Sequence, residues 1–550
     1  MQSTVCSTGR FTRQAEPKTL FIREMKRRID IPMQLAGIRR VLIALVVVGC
    51  LTPVGDSSAG SAELVRVHYL VRPIPGVTAE AGVRVAMHVG GLEGVKSVRL
   101  QMPRWTPGDY HIQDHGKHVQ AESASSAPEH TNAWKRVDAH TWEVSTDGFS
   151  SVVFSYSLPN TPPGYFSENV KVTDRYAFYN GPAVYMYVVG HKEADSSVSF
   201  DLPEGWKHVV PLAPTKPVNG KPAYTAPDYD TLADSPVALG DVVTREFTAV
   251  GKPHTIAFFN RHQGTDFDGF VEPIKKVVEE ENRVMGGPPY SRYVFFLDVG
   301  GRGGGLEHLN STRMGWNSRF GSRGIAGLVA HEFFHLWNVK RLRPSVLGPF
   351  DYIEPPKTRN LWFAEGVTSY YGDLSVLRAG LSTQDRYLSS IGRSIASYLA
   401  NPARRRVTPD DASFRVWEAN NSDGFGGLSY YQAGELIGLC LDLKIRGATN
   451  NRSSLDHVMR DLMARHGLPK PGFPEDGIRD AVIRAGGPEL GPFYDLVART
   501  TEEMPFEACL AFAGLTLQRN PNGVLDIIPN PSATTEQIAL RRSWLSPSEP

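Results

Sequence analysis

The chain has 550 residues, 41% of them hydrophobic, 21% charged and 10% aromatic, with a formal net charge of +1. That length suggests roughly two to four domains with sizeable cores. The near-neutral balance excludes the basic excess of a nucleic-acid binder and offers no charge for an anionic membrane surface.

Residues 1–62 read as a leader and export signal. VLIALVVVGCL (41–51) is an apolar run behind Arg39 and Arg40. It is too short to span a bilayer but suits the apolar region of a signal peptide. Small residues follow in DSSAGSAE (56–63), where Ala59 or Ala62 fits a cleavage site. The expectation is an exported protein, periplasmic or secreted, with no stable membrane span once mature. Met33 lies closer to the signal than Met1, so residues 1–32 read as an over-long start or a basic leader. VVGC (47–50) offers an alternative, a lipid anchor on Cys50. Of Cys6, Cys50, Cys440 and Cys509, the last two outlast signal removal, and Cys440 in LIGLCLDL reads as a buried small hydrophobe.

From residue 63 to about 250 the pattern is all-β. Val83, Val85, Met87 and Val89 alternate, as do Val152, Phe154, Tyr156 and Leu158. Period two marks half-buried strands, and the Pro/Gly clusters IPGVTAEAG, RWTPGDY and LPNTPPGY supply turns between them. A sandwich-like β-domain is expected. After about residue 250 the period changes. A helix is expected over 268–286, a continuous apolar strand over 292–299, and helices over 361–379, 383–400, 430–446 and 454–466. Strands followed mostly by helices predict an α+β, mainly helical domain over 251–515.

HEFFHLWNVKRLRP (331–344) falls between these elements. On a helix, His331 and His335 lie on one face, a turn apart, so their imidazoles can meet one ion. Zinc takes such ligands, and Glu332 beside them is placed to act as general base on a water. Two histidines need a third ligand. FAEGVTSYY offers Glu365 in an apolar helix, where a carboxylate costs free energy unless something pairs with it. GGGLEH (303–308) follows the apolar strand. Gly304 and Gly305 would let a substrate backbone approach, an edge strand there could pair with an extended peptide, and Glu307 could bind a free α-amino group. The loop lacks the Gly-Lys-Ser/Thr ending of a phosphate loop.

These segments, with PRWTPGDY (103–110), LWFAEGVTSYY (361–371) and YYQAGELIGLCLDLKIR (430–446), resemble the glycyl aminopeptidase family of zinc metallopeptidases in the thermolysin-like clan. The resemblance implies a multidomain chain: an N-terminal β-domain, a thermolysin-like catalytic domain and a PDZ domain. It implies one zinc held by His331, His335 and Glu365, Glu332 as general base, and Glu307 as the anchor for the substrate's amine. Tyr431 matches a tyrosine that stabilises the oxyanion in the wider clan. Here YQAG puts Ala433 where that pattern has lysine, which leaves Tyr430 as a rival. Residues 516–550 are too few for a PDZ domain and read as a short remnant of one.

The expected function is a zinc aminopeptidase that removes Gly or Ala from peptide N-termini. Glu332 would assist attack by a zinc-bound water, and the partners would be peptide substrates, not nucleic acid. A zinc endopeptidase and a non-catalytic exported binding protein on a peptidase scaffold are the alternatives. His308 receives no role from the sequence.

Overall fold

The computed structural model of the chain describes residues 64–547, apart from 79, 165, 167, 318–320, 420–422, 522 and 523. The leader, its apolar run, Ala59, Ala62 and Cys50 lie outside the described residues. Among the described residues no helix is long and apolar enough to cross a membrane.

The alternating residues form the strands they predict. Gly82–Gly90 pairs antiparallel with Arg66–Ile74 on one side and Ser151–Pro159 on the other. Val83, Val85, Met87, Val89, Val152, Phe154, Tyr156 and Leu158 all face inward and are buried. These three strands are the centre of an eight-stranded sheet. Two four-stranded sheets, with members drawn from residues 97–240, complete the β-domain around that core.

A mixed five-stranded sheet follows, in the order Val243–Ala249, Lys252–Phe259, Tyr293–Asp298, Ser311–Gly315, Gly305–His308. Its first strand already belongs to the second architecture, so the change falls before the expected boundary at residue 250. The reason is local: Val250 and Gly251 both take positive φ, 47° and 72°, and close a two-residue hairpin between the first two strands. Tyr293–Asp298 is buried along its whole length, as its unbroken apolar run predicts. Gly305–His308 is the edge strand. Phe178 and Ala238 of the β-domain pack with Phe259, Val294 and Phe296 of this sheet in a shared core.

Helices cover the rest. Ala326–Phe334, the histidine helix, ends on His335. The glutamate helix begins as a wide π-helical turn, Trp362–Val367, and continues as an α-helix, Thr368–Arg378. Tyr430–Ala448, the tyrosine helix, lies against it. The expectation of a short tail beyond residue 515 is corrected. Leu515–Arg519 and Leu525–Pro529 form a hairpin, and Thr535–Leu545 a helix whose Leu540, Trp544 and Leu545 are buried in the helical core. Apolar residues spaced one helical turn apart (Leu540, Trp544) are what bind this segment to the body.

Candidate active site

The site forms where the edge strand, the histidine helix, the glutamate helix and the tyrosine helix converge. His331 and His335 leave the same helix face one turn apart, and their Nε2 atoms stand 3.1 Å from each other. Glu365 Oε2 is 3.1 Å from His335 Nε2 and 3.8 Å from His331 Nε2. Among the described residues these three are the group of His, Cys, Asp or Glu whose ligand atoms could share an ion, all within 4.8 Å of one another. Ligand atoms around a tetrahedral zinc at its usual bond lengths stand about 3.3 Å apart, so the spacing fits.

The hydrogen bonds behind the imidazoles fit as well. His335 Nδ1 donates to the backbone oxygen of Asn338 at 2.8 Å, and His331 Nδ1 lies 3.3 Å from the Ser369 hydroxyl. Tying up each Nδ1 leaves the Nε2 lone pairs aimed at the common point. Asn338 in turn donates from Nδ2 to the backbone oxygen of Phe363 at 2.9 Å, and its backbone oxygen also accepts from Thr368 Oγ1. One asparagine therefore fixes both the second histidine and the π-helical turn that carries Glu365.

That wide turn has a packing cause. A Cβ on Gly366 would run into Gly434 Cα, and one on Gly434 into the backbone oxygen of Trp362. Two glycines let the glutamate and tyrosine helices meet backbone to backbone, which brings Tyr431 beside Glu365. Tyr431 stacks on His331, with ring centroids 6.0 Å apart, whereas Tyr430 lies behind it and is wholly buried. Of the two, Tyr431 is the one whose ring stacks on His331. Ala433 is buried against the helices.

Electrostatics call for positive charge here. Burial, reinforced by Glu307 and Glu365 and opposed by His335, pushes the Glu332 carboxyl up to about 8. Burial likewise raises Glu307. Burial disfavours a charged His335, yet the carboxylates of Glu365, Glu307 and Glu332 outweigh it and raise that imidazole to about 10. Glu365 Oε1 and Glu307 Oε1 are buried without hydrogen-bond partners. Acceptors left bare in this way are rare unless something else completes them, and a divalent cation and a substrate amine would do so.

The edge strand sorts its residues by face. Gly305 presses on the histidine helix, where a Cβ would overlap the Glu332 carboxylate. Glu307, two positions on, points the same way. From the β-domain, Gly108 of the RWTPGDY segment, at φ +95°, closes on Glu307, and a Cβ there would sit 2.7 Å from its Oε1. His308 faces the opposite way. Its Nδ1 is 3.0 Å from Asp234 Oδ1, which also accepts from Lys340 Nζ at 2.8 Å, while Asp234 Oδ2 accepts from the Leu309 N–H. His308 thus ties the edge strand and the segment after the histidine helix to the β-domain. Sequence reasoning missed Asp234, Asn338's partners and Gly366/Gly434, because each acts through a contact distant in the chain.

Such a site on such a fold places the protein among the zinc metallopeptidases. Two models then match segments that together make up more than half of it: the peptidase M61 N-terminal domain over residues 77–241 and the M61 glycyl aminopeptidase over 324–437. The chain belongs to the M61 glycyl aminopeptidase family. In structure it is similar to an aminopeptidase N family protein from Idiomarina loihiensis, at 23% identity and a TM-score of 0.75, over 84% of this chain and 81% of that one. It is also similar to an M1 zinc metallopeptidase from Deinococcus radiodurans, at 14% identity and a TM-score of 0.53, over 81% of this chain and 95% of that one. A comparison with curated proteins finds no match.

Proposed function

We propose that the protein is an aminopeptidase that removes one small residue, glycine or alanine, from peptides with a free N-terminus. The observation that carries the reading is the spacing on the edge strand. Gly305 lies over Glu332, and Glu307 is two positions further along the same face, about 7 Å at strand pitch. That leaves room for a single residue between an amine held by Glu307 and a bond within reach of Glu332.

Zinc held by His331, His335 and Glu365 would polarise the scissile carbonyl and make a water more acidic. Glu332 takes the proton from the attacking water and passes it to the leaving amine. The Tyr431 hydroxyl donates to the carbonyl oxygen as it gains charge. Gly304 and Gly305 present backbone to the peptide, and Glu307 receives its α-ammonium. A blocked N-terminus leaves that buried carboxylate unpaired, which selects against it. The preference for small first residues rests on the family's description. The leader sequence supports export to the periplasm or beyond, with either cleavage near Ala62 or acylation of Cys50, and the mature N-terminus read by mass separates the two.

The test compares a Gly-initiated peptide with its N-acetylated twin on the zinc-loaded enzyme. Loss of one residue from the free peptide only is expected. Glu307→Gln should lower kcat/KM on the free peptide by about 10–100-fold, the worth of a hydrogen bond to a charged group. Equal cleavage of both twins by the unaltered enzyme would instead identify an endopeptidase.

A further inference from the structure

The direction of a bound peptide follows from the reading above, on which this inference rests. With its amine at Glu307 and its first peptide bond over Glu332 near Gly305, the peptide runs antiparallel to the edge strand. The residue after the scissile bond then lies alongside Gly304. Side chains alternate across a strand, so this second side chain leaves on the face opposite the first.

At Gly304 itself the edge strand carries no side chain. Gly304 takes φ +102°, and a Cβ built on it meets only Phe166 Cδ1, at 4.0 Å. Phe166 comes from the β-domain, between the strands Ser151–Pro159 and Val170–Val172. Its ring packs against that of Tyr431, with centroids 6.3 Å apart and planes tilted by 49°. Phe166 therefore reaches from Gly304 to Tyr431, its ring in contact with the tyrosine. It is also anchored. Its backbone oxygen accepts from Arg313 Nη1 at 3.4 Å, and Arg313, buried in the strand Ser311–Gly315, holds Glu168 and Asp298 with Nη2, the latter at 2.8 Å. A β-domain phenylalanine is thus pinned to the catalytic sheet beside the position that the second residue of the peptide would take.

We infer that Phe166 is a specificity-determining residue, forming with the Tyr431 ring an aromatic subsite for the side chain that follows the scissile bond. The substrate class it selects is peptides with a small first residue and an apolar or aromatic second one. An aromatic or branched aliphatic side chain gains contact area and ring packing against the Phe166–Tyr431 pair, more than alanine can.

The experiment uses the zinc-loaded full chain with three peptides, Gly-Phe-Ala, Gly-Leu-Ala and Gly-Ala-Ala. The unaltered enzyme should favour the first two. Phe166→Ala should lower kcat/KM about tenfold on Gly-Phe-Ala and Gly-Leu-Ala, the scale of lost apolar pocket contacts. Most of that loss should be in KM, and Gly-Ala-Ala should change less than about twofold. Phe166→Leu, which keeps apolar bulk, should restore most of the loss. An equal loss on all three peptides would show a merely structural role and overturn the assignment, as would no loss on any. If the unaltered enzyme cleaves none of the three, or cleaves acetylated peptides equally well, the aminopeptidase reading fails and the subsite falls with it.

Discussion

The glutamate and tyrosine helices carry two buried polar clusters, one at each end, and the two are built on opposite principles. At one end stand Glu365, His331 and Tyr431, with Glu332 and Glu307 near them. About 16 Å further along the same helices, at their helical rise, lie Asp442, Arg446 and Arg378, joined by Asp456 of the helix Leu455–His466. Asp442 accepts from Tyr370, Arg446 and the Leu455 N–H, at 2.6, 3.0 and 2.8 Å. Asp456 accepts from Tyr371 at 2.8 Å and from Arg378 at 3.3 Å, and Arg378 also donates to the backbone oxygen of Trp544. The Trp544 indole donates to Tyr370 at 2.9 Å. Here each charge has its partner inside the protein. At the other end Glu365 and Glu307 each keep a buried oxygen with none. Burial and charge alone do not mark function. What separates the working cluster from this paired one is that the chain leaves it incomplete.

The contrast can be broken first at Glu332. Glu332→Gln should lower kcat by about 10²–10⁴-fold, the usual worth of a general base, while zinc content, measured by atomic absorption, stays at the level of the unaltered protein. Loss of zinc in that variant would make Glu332 part of the ion's own shell. The self-contained cluster should respond in the reverse way. Asp456→Ala strands Arg378 in the core and should cost about 3–5 kcal/mol of stability by denaturant unfolding, with kcat/KM of the folded protein within about twofold. A specific fall in activity at unchanged stability would erase the distinction between the two ends.

The smallest effect sharpens the rule with a third buried acid. Glu281, on the helix Val271–Met285, is fully buried, and neither of its oxygens is hydrogen-bonded. Burial, then the neighbouring Glu280, raises its pKa well above 4.5. Its carboxyl is therefore protonated in the fold at pH values where the unfolded chain has released that proton. Stability from this group is full below about 4.5 and is lost as pH rises towards the folded value. Glu281→Gln should match the unaltered protein near pH 5 and exceed it by about 1 kcal/mol or more at pH 8. Parallel Tm–pH curves for the two proteins would refute this.

How much of this was legible in the sequence depends on the range of the interaction. His331, Glu332 and His335 are related by helix period, and Glu365 stood out as a carboxylate in an apolar helix. The core valines were equally readable, because alternation is local. The π-helical turn was not, since it results from Gly366 meeting Gly434 across 68 positions. Nor was the docking of residues 515–545, whose Trp544 is secured by Tyr370 and Arg378 on a distant helix. His308 illustrates the limit well. Its neighbour Glu307 could be given a task from its motif, but the partner that explains His308, Asp234, belongs to the other domain.

The way the β-domain reaches the cleft has an evolutionary consequence. Gly108 and Phe166 both lie on connections between strands, the segments of a fold that tolerate change best, while the ion ligands and the base sit on helices locked by glycine contacts. The β-domain thus borders the cleft through segments separate from those that hold the ion ligands and the base. If Phe166 sets the subsite proposed above, exchanging these loops of the β-domain would alter substrate range with the ion ligands and the base left in place.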